Sequence, residues 1–197
     1  FDLQNLEQVS EPEISWKTGQ PYKRFQLSDN GVSPRLIPGF GKYLVVADSD
    51  EHTEEGHISE DHQVRVDMVQ KRLQKGQGLK NEVIAPSLDI QSSHSLLLVC
   101  WGSSMGAVQE TAEILRNQSQ NVACLHFSQV WPLNAEQFLP VMQAAERVIC
   151  VESNTRGQMA GLIRRETGFE IRHLVLRYDG LPLTPEYIMQ QLAELKL

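Results

Sequence analysis

The segment Ser95–Gly106, SLLLVCWGSSMG, constrains the fold of this chain more than any other stretch. Its apolar residues, Leu96 to Cys100, run without interruption and end at a turn rich in glycine and serine. Such a run is typical of a strand that is buried on both faces of a sheet. Residues 107–117 follow with apolar side chains at helical spacing. The segment therefore predicts a strand, a glycine turn and a helix, the opening unit of a parallel α/β sheet.

The rest of the C-terminal half repeats this strand–helix pattern. Helices separate the successive strands, so right-handed parallel connections are expected. The predicted fold class is α/β, an open, mostly parallel Rossmann-like sheet with helices on both faces, over residues 88–197. The further strands are predicted at Val122–Phe127, Val148–Val151 and Ile171–Leu176, and the further helices at 135–145 behind an Asn134 cap, from Asn154 to a stop at Gly168, and from Thr184 and Pro185 onward.

Residues 1–87 are predicted to be a linker followed by a helix. Residues 1–30 show no sustained period and are expected to be an extended connector. Residues 31–39 hold two prolines and two glycines, which indicates a shaped loop. Leu44–Ala47 is a short strand candidate, and residues 79–94 are expected to form a second connector.

A strongly acidic loop and a helix lie within this part. Residues 48–61 contain seven carboxylates and two histidines, and no lysine or arginine. Ser59 is a plausible cap for a helix over Glu60–Lys75, which Gly76 and Gly78 are expected to end. The spacing places four side chains of that helix on one face: His62, Val66, Val69 and Leu73.

Composition excludes some classes of partner. The net charge of −7 disfavours nucleic acid and anionic membranes, which need a basic surface. No apolar run approaches the length of a membrane span. Three widely spaced cysteines in apolar runs indicate core packing and a reducing, cytoplasmic setting. Because residue 1 is phenylalanine and no signal peptide follows, the chain is expected to be a fragment of a longer protein.

Three sites allow a functional interpretation, and each of them also allows a purely structural one. Gly102–Gly106 fits the G-x-S-x-G pattern of a hydrolase nucleophile elbow, and its position before a helix also suits an anion, but a tight β–α turn needs only small residues. His52 and His57 among carboxylates are competent metal ligands, although their spacing favours a solvated or interface loop. Side chains after the third predicted strand lie where open α/β sheets bind ligands, or form a solvated helix face: Asn154, Arg156, Arg164 and Arg165.

Several segments together resemble one enzyme family. SPRLIPG at residues 33–39, DSDEHTEEGH at 48–57 and RVDMVQKRL at 65–73 resemble the alpha subunit of 2-oxoacid:ferredoxin oxidoreductases, nearest the 2-oxoglutarate or branched-chain 2-oxoacid branch. LLLVCWGSSMGAVQE and VICVESNTRGQMAGLIR resemble the transketolase C-terminal-like domain of that subunit. The resemblance covers nearly the whole chain, and DEHTEEGH is its most specific part.

The resemblance implies a part of a larger enzyme. Such a complex decarboxylates a 2-oxoacid on thiamine diphosphate with Mg²⁺, forms acyl-coenzyme A and reduces ferredoxin through [4Fe-4S] clusters. It implies that these cofactors lie on partner parts, chiefly the thiamine diphosphate-binding beta subunit and the upstream domains of the same subunit. No catalytic residue and no metal ligand are therefore assigned to this chain.

Two groups of residues are nevertheless expected to make contacts. The glycine turn is the candidate for a coenzyme A or interdomain contact, through Gly102, Ser103, Ser104 and Gly106. The acidic loop and its neighbourhood are the candidate interface, through Arg35, Asp50, Glu51, His52, Glu55 and His57. Two rival hypotheses keep the fold: the last domain of another thiamine diphosphate enzyme, of the 2-oxoacid dehydrogenase beta-subunit or transketolase type, and a stand-alone coenzyme A or nucleotide-binding module.

Overall fold

The structure, a computed structural model, describes residues 22–39, 43–90 and 94–195. The chain divides into two compact units, residues 1–79 and 80–197, called here the N-terminal unit and the C-terminal unit. Within the described residues, no helix is both long and apolar enough to cross a membrane.

The C-terminal unit is built on a five-stranded sheet. Its strands are β1 (Ser87–Asp89), β2 (Leu96–Trp101), β3 (Val122–Phe127), β4 (Arg147–Glu152) and β5 (His173–Leu176), in the order β1-β3-β2-β4-β5. Only β1 is antiparallel, to β3, and the other pairs are parallel. The predicted α/β class with a mostly parallel sheet is confirmed.

Helices cover both faces of this sheet. They are α2 (Met105–Asn117), α3 (Leu139–Ala144), α4 (Gln158–Thr167) and α5 (Pro185–Glu194). Leu97 and Val99 of β2 pack in one apolar cluster with residues of α3 and α4. Leu98 and Cys100 pack in a second cluster with residues of α2 and α5. The apolar run of β2 is uninterrupted because each alternate side chain meets a covered face.

Strand β1 lies where a connector was expected, and that expectation is wrong. Three residues are too few to show a period, so pattern alone does not reveal the strand. Tertiary contacts hold it: Arg116 of α2 donates two hydrogen bonds of 3.0 Å to the Asp89 carboxylate and one of 3.1 Å to the Asp89 carbonyl.

The predicted helix over 135–145 is divided. A short 3₁₀ turn over Ala135–Gln137 precedes α3. Asn134 caps the turn as predicted, because its side chain accepts a hydrogen bond from the Glu136 amide. Pro140 sits in the first turn of α3, where its missing N–H is tolerated. The predicted start of α5 is also confirmed, with the Thr184 side chain accepting from the Tyr187 amide.

The N-terminal unit contains one helix, α1 (His62–Leu79), among its described residues. The predicted end was wrong: α1 passes through Gly76 and Gly78, and a Cβ added at either glycine would have no neighbour within 4 Å beyond the helix's own backbone. The cap is Asp61 rather than Ser59, since the Asp61 carboxylate accepts from the amides of residues 63 and 64. Residues 44–47 form no strand, contrary to expectation.

Candidate functional site

The loops after β2 and β4 leave the carboxyl edge of the sheet in opposite directions. β2 lies at the centre, and α2 and α4, which follow β2 and β4, pack on opposite faces. In open α/β sheets, the crevice between two such loops is the usual ligand site. By this rule, the carboxyl edge between β2 and β4 is the candidate ligand site of the C-terminal unit.

Glu152, the last residue of β4, is fully buried at this crevice. Its carboxylate accepts hydrogen bonds from the Trp101 indole (3.1 Å) and the Asn154 side-chain amide (2.8 Å). It also accepts from the backbone amides of Met159 and Ala160, at 2.9 and 3.1 Å. The carboxylate of Glu152 thus occupies the positive end of α4 and ties it to β2.

These donors keep Glu152 ionised. Burial opposes the charge and by itself raises the pKa of the Glu152 carboxyl. Hydrogen bonds from Met159, Asn154 and Ala160 outweigh burial and leave the pKa below its usual value. The Glu152 carboxylate therefore already provides the negative charge that the N-terminal end of α4 favours.

Asn154 completes this closure. Its side-chain oxygen accepts from the amides of Arg156 and Gln158, at 3.1 and 3.2 Å. Gly157, which lies between these two residues, has a φ of +61°, and a Cβ there would approach the Leu174 side chain to 2.9 Å. The structure thus gives Asn154 a capping role, which the sequence did not distinguish from a ligand-binding one.

The predicted glycine turn lies on the other side of the crevice. Gly102 and Ser103 are exposed and start the 3₁₀ turn that leads into α2, and Gly106 is exposed in the first turn of α2. Ser104 is buried, and its hydroxyl donates to the Trp101 carbonyl at 2.6 Å. This bond holds the hydroxyl against its own backbone, which is not the free, base-activated position of a nucleophile.

The histidine nearest this turn does not serve Ser104 either. His126 on β3 is buried, and its Nε2 lies 3.0 Å from the Gly102 carbonyl, to which it donates. A triad base would instead bond the serine hydroxyl. The geometry therefore argues against a hydrolase elbow and leaves the exposed backbone of Gly102 and Ser103 as the accessible part of the turn.

The arginine pair of α4 belongs to a solvated face. Arg164 pairs with Glu170 at 3.0 Å and Arg165 with Glu166 at 2.8 Å. The Arg165 guanidinium also lies 5.6 Å from the ring centre of Trp131. These exposed contacts favour the plain structural interpretation of both residues.

The acidic loop of the N-terminal unit folds back on its own chain as a hairpin, residues 51–59. The Thr53 amide donates to His57, and the Ser59 amide donates to Glu51, both at 2.9 Å. His52 is buried and its ring stacks on Phe25, with ring centres 3.6 Å apart. His52 is thus a packed side chain, whereas His57 is exposed.

Basic side chains of the same unit neutralise three carboxylates of the hairpin. Glu51 accepts from Arg72 at 2.8 Å and from Arg65 at 3.2 Å. Glu54 and Glu55 lie 2.7 and 3.3 Å from the Lys23 ammonium. The hydrogen bond from Arg72 is the main cause that lowers the pKa of Glu51.

Other members of the predicted interface stay at the surface. Asp50 is exposed, and its backbone amide donates a hydrogen bond of 3.1 Å to the Asp48 carboxylate. Arg35 is exposed in the shaped loop. The structure therefore places Glu51, His52, Glu55 and His57 in one hairpin, with Asp50 directly before it and Arg35 outside it.

The described residues do not offer a metal or cluster site. No group of three histidine, cysteine or carboxylate side chains among them has the arrangement to hold a metal ion. Cys100, Cys124 and Cys150 are free, buried thiols of the sheet. Burial is the main cause that raises the pKa of Cys150 well above its usual value, which suits core packing rather than reactivity.

Glu152 and Trp101 organise this edge, and sequence analysis missed both. A signal was present in the sequence: Glu152, a carboxylate, directly follows the apolar run Val148–Val151. A charged residue in a buried strand is rare unless it is paired. Its partners come from β2 and α4, so their identity depends on the tertiary fold.

Comparison with known proteins relates the chain to one group of oxidoreductases. It is 29% identical over 178 residues to a 2-oxoacid:ferredoxin oxidoreductase alpha subunit of Sulfurisphaera tokodaii, covering 88% of this chain and 27% of that subunit. It is 32% identical over 169 residues to such an alpha subunit of Aeropyrum pernix, covering 83% of this chain and 26% of that subunit. The chain thus spans about a quarter of the length of these curated relatives. No protein-family profile matches it.

A solved structure also matches both the fold and the sequence. The 2-oxoglutarate:ferredoxin oxidoreductase of Magnetococcus marinus, with 2-oxoglutarate, coenzyme A and succinyl-CoA bound, superposes on 91% of this chain and 32% of its own. The TM-score is 0.74 and the identity 25%.

Proposed function

We propose that this chain is the C-terminal part of an alpha subunit of a 2-oxoacid:ferredoxin oxidoreductase, in a complex that oxidatively decarboxylates a 2-oxoacid to acyl-CoA and reduces ferredoxin. The observation that carries the proposal is the extent of the match. With 91% of the chain superposed on the Magnetococcus marinus enzyme, the match includes residues of both units. A likeness of the α/β sheet alone would not extend into the N-terminal unit.

The proposed role of the chain is to pack and position, not to perform the chemistry. Residues 1–87 would join the upstream thiamine-site domain, and residues 88–197 would be the transketolase C-terminal-like domain that shapes the channel to that site. The described residues do not fit thiamine diphosphate with Mg²⁺ or a [4Fe-4S] cluster, because their cysteines are buried core residues and their carboxylates are paired or scattered. We therefore propose that the beta subunit and other parts of the complex hold these cofactors.

The glycine turn is the proposed contact surface within the C-terminal unit. Glu152 and Asn154 close the start of α4, so the exposed backbone of Gly102 and Ser103 is the more accessible side of the crevice. The Ser104 hydroxyl stabilises the turn through its hydrogen bond to the Trp101 carbonyl. At Gly106, in the first turn of α2, an added Cβ would have no neighbour within 4 Å, so this part of the surface is not covered by other side chains. Coenzyme A or a neighbouring domain would approach here.

A charge placed on the turn tests this contact. In the full complex, Ser103→Glu is expected to raise the KM for coenzyme A if the phosphates of coenzyme A approach the turn. It is expected to weaken subunit assembly instead if the contact is interdomain. Gln120→Glu, an exposed position in the turn that leads into β3, is the control. Unchanged kinetics and assembly in Ser103→Glu would remove the contact role.

The substrate is proposed to be 2-oxoglutarate or a branched-chain 2-oxoacid, as the resemblance implies. The solved enzyme of Magnetococcus marinus holds 2-oxoglutarate and succinyl-CoA, which supports the first of these. The three free thiols support a reducing, cytoplasmic location.

The test uses the native full-length protein with its associated subunits. Viologen reduction is measured with 2-oxoglutarate, branched-chain 2-oxoacids and pyruvate, with and without coenzyme A. Coenzyme A-dependent reduction with one substrate is the expected result and identifies that substrate. If every substrate is inactive although thiamine diphosphate and clusters are present, the chain belongs instead to a thiamine enzyme without ferredoxin chemistry.

The 197-residue chain provides the matched control. It is expected to reduce no viologen with any 2-oxoacid, because the proposal assigns it no catalytic residue. Measurable turnover by this chain alone would contradict the proposal. Binding of coenzyme A in calorimetry without any partner subunit would favour a stand-alone binding module.

A further inference from the structure

Helix α1 carries an uncharged face over three turns. Residues spaced i, i+3, i+4 and i+7 share one face of a helix. From Val66 this face comprises Val66, Val69, Gln70, Leu73, Gly76 and Gln77, none of which is charged. This set shares Val66, Val69 and Leu73 with the face that the sequence predicted, and it leaves out His62.

The structure leaves most of this face exposed, with only Val69 and Gly76 half-buried. Leu73 is 63% exposed and Val66 is 45% exposed, whereas Met68 is the one buried residue of α1. A solvent-facing helix surface normally carries charged and polar side chains. The charged residues of α1 lie on its other sides, so the exposed part of this face carries two apolar side chains and no charge.

Contacts within the N-terminal unit fix which way α1 faces. Gly31 approaches α1 so closely that a Cβ there would lie 2.4 Å from the Lys71 carbonyl oxygen. Arg65 and Arg72 hold Glu51 of the hairpin from one flank. The helix therefore cannot rotate to bury Leu73 without breaking both contacts.

Helical stability in proteins comes mostly from the packing of an apolar face. An 18-residue helix that buries one side chain lacks most of that stabilisation. A partner that covers the uncharged face would supply this missing packing. The partner's surface must itself be apolar and uncharged, because a charge buried against this face would lose its water without gaining an opposite charge.

We infer that this face of α1 packs against the portion of a longer alpha-type subunit that lies outside these 197 residues. The length of that portion supports this occupant: the chain accounts for 32% of the matching Magnetococcus marinus chain and about a quarter of the curated relatives. The match includes the N-terminal unit, so in such a subunit α1 is covalently joined to the domains that would cover it. This inference rests on the proposed function.

The test compares two variants of the native full-length subunit in its complex. Val66→Gln with Leu73→Gln keeps helix-compatible side chains and removes the apolar face. Its thermal unfolding midpoint is expected to fall by about 5 °C, since two apolar side chains lose their packing. Val32→Gln replaces a 55% exposed valine of the same unit and is expected to leave the midpoint unchanged. Equal midpoints for the two variants would overturn the inference.

A second measurement does not depend on variants that fold. In hydroxyl-radical footprinting of the wild-type complex, Leu73 is expected to be labelled several-fold less than Leu181, because the two leucines are similarly exposed in this structure, at 63% and 59%, and only Leu73 would be covered in the longer subunit. Equal labelling of the two leucines would contradict a covered face. If light scattering instead shows that the double variant only lowers the number of copies in the assembly, the occupant is a second copy and the inference is wrong.

Failure of the proposed function is distinguishable in the same preparation. Viologen reduction reports the oxidoreductase, whereas the midpoint shift and the labelling of Leu73 report the helix face. An active complex with an unchanged midpoint in the double variant rejects the inference alone. A native polypeptide whose intact mass matches 197 residues rejects the longer subunit, and the inference with it.

Discussion

The two units of this chain are stabilised in different ways. The C-terminal unit buries two apolar clusters, one on each face of its sheet. In the N-terminal unit, the described residues bury three apolar side chains, Tyr22, Leu36 and Met68, and ion pairs connect the hairpin to α1 and to Lys23. Apolar burial depends little on salt, whereas exposed ion pairs are screened by it. The comparison shows that ion pairs within the N-terminal unit balance much of the charge of its acidic segment.

The largest effect is expected from the apolar core of the C-terminal unit. Phe138 is 1% exposed, and its ring packs edge-on against Phe127 with centres 5.1 Å apart. Phe138→Ala should lower the free energy of unfolding by about 4 kcal/mol, through lost burial and a residual cavity. Urea unfolding followed by circular dichroism measures this, and a loss below about 1 kcal/mol would show that the core is not well packed.

Removal of the buried carboxylate should rank second. Glu152→Ala leaves the amides of Met159 and Ala160 and the Trp101 indole without their acceptor, so we expect a loss of about 3 kcal/mol. Trp101 should also lose its fixed position, which its near-ultraviolet circular dichroism reports. Glu152→Gln keeps the shape and should lose less; a loss as large as that of alanine would mean that charge, not shape, is decisive.

Acidification should weaken Glu152 in a defined direction. Its pKa is lowered in the folded chain, so its stabilising contribution is present above the usual glutamate pKa of about 4.3 and is lost as the pH falls through the lower folded value. The wild-type chain should therefore lose more stability between pH 5 and pH 3, taken as a rough titration window, than Glu152→Gln does. Parallel pH profiles for the two would contradict this.

The ion pairs of the N-terminal unit should give a smaller and salt-dependent effect. Glu51→Gln removes the acceptor for Arg65 and Arg72 and should cost about 1 kcal/mol at low salt. Limited proteolysis of the hairpin should become faster in this variant, and added salt should speed cleavage of the wild-type chain as well. Asp50→Asn, at an exposed neighbouring position, is the control and should be cleaved like the wild type.

The smallest effect, with the opposite sign, is expected in α1. Gly78 lies within the helix with open space around it, so Gly78→Ala should raise helix stability by up to about 1 kcal/mol. Gly31→Ala should instead destabilise the unit, because Gly31 has a φ of +74° and lies against the backbone of α1. A stabilising Gly31→Ala would disprove that close approach.

Sequence patterns predicted long, regular elements well and short ones poorly. The run Leu96–Cys100 and the periodic helix after it needed only local information, because both faces of β2 are buried. Strand β1 has three residues and depends on Arg116, which lies far along the chain. Gly76 and Gly78 suggested a helix end, yet intrinsic propensity is a weak constraint that the surrounding structure overrode.

For the candidate site, the sequence located the glycine turn but not its chemistry. G-x-S-x-G allowed a nucleophile, and only the bond from Ser104 to the Trp101 carbonyl shows that the hydroxyl serves the turn. DEHTEEGH indicated repelling charges that needed a partner, and Arg65, Arg72 and Lys23 supply it from within the unit.

By itself, the sequence determined the α/β class, the placement of the parallel strands and the segments that resemble an oxidoreductase subunit, because periodicity and local motifs carry that information. The tertiary structure alone decided which charges are paired, that Glu152 closes the start of α4, and that most of the apolar face of α1 is exposed. These are contacts between residues distant in sequence, whose energies depend on burial and distance that no local pattern contains.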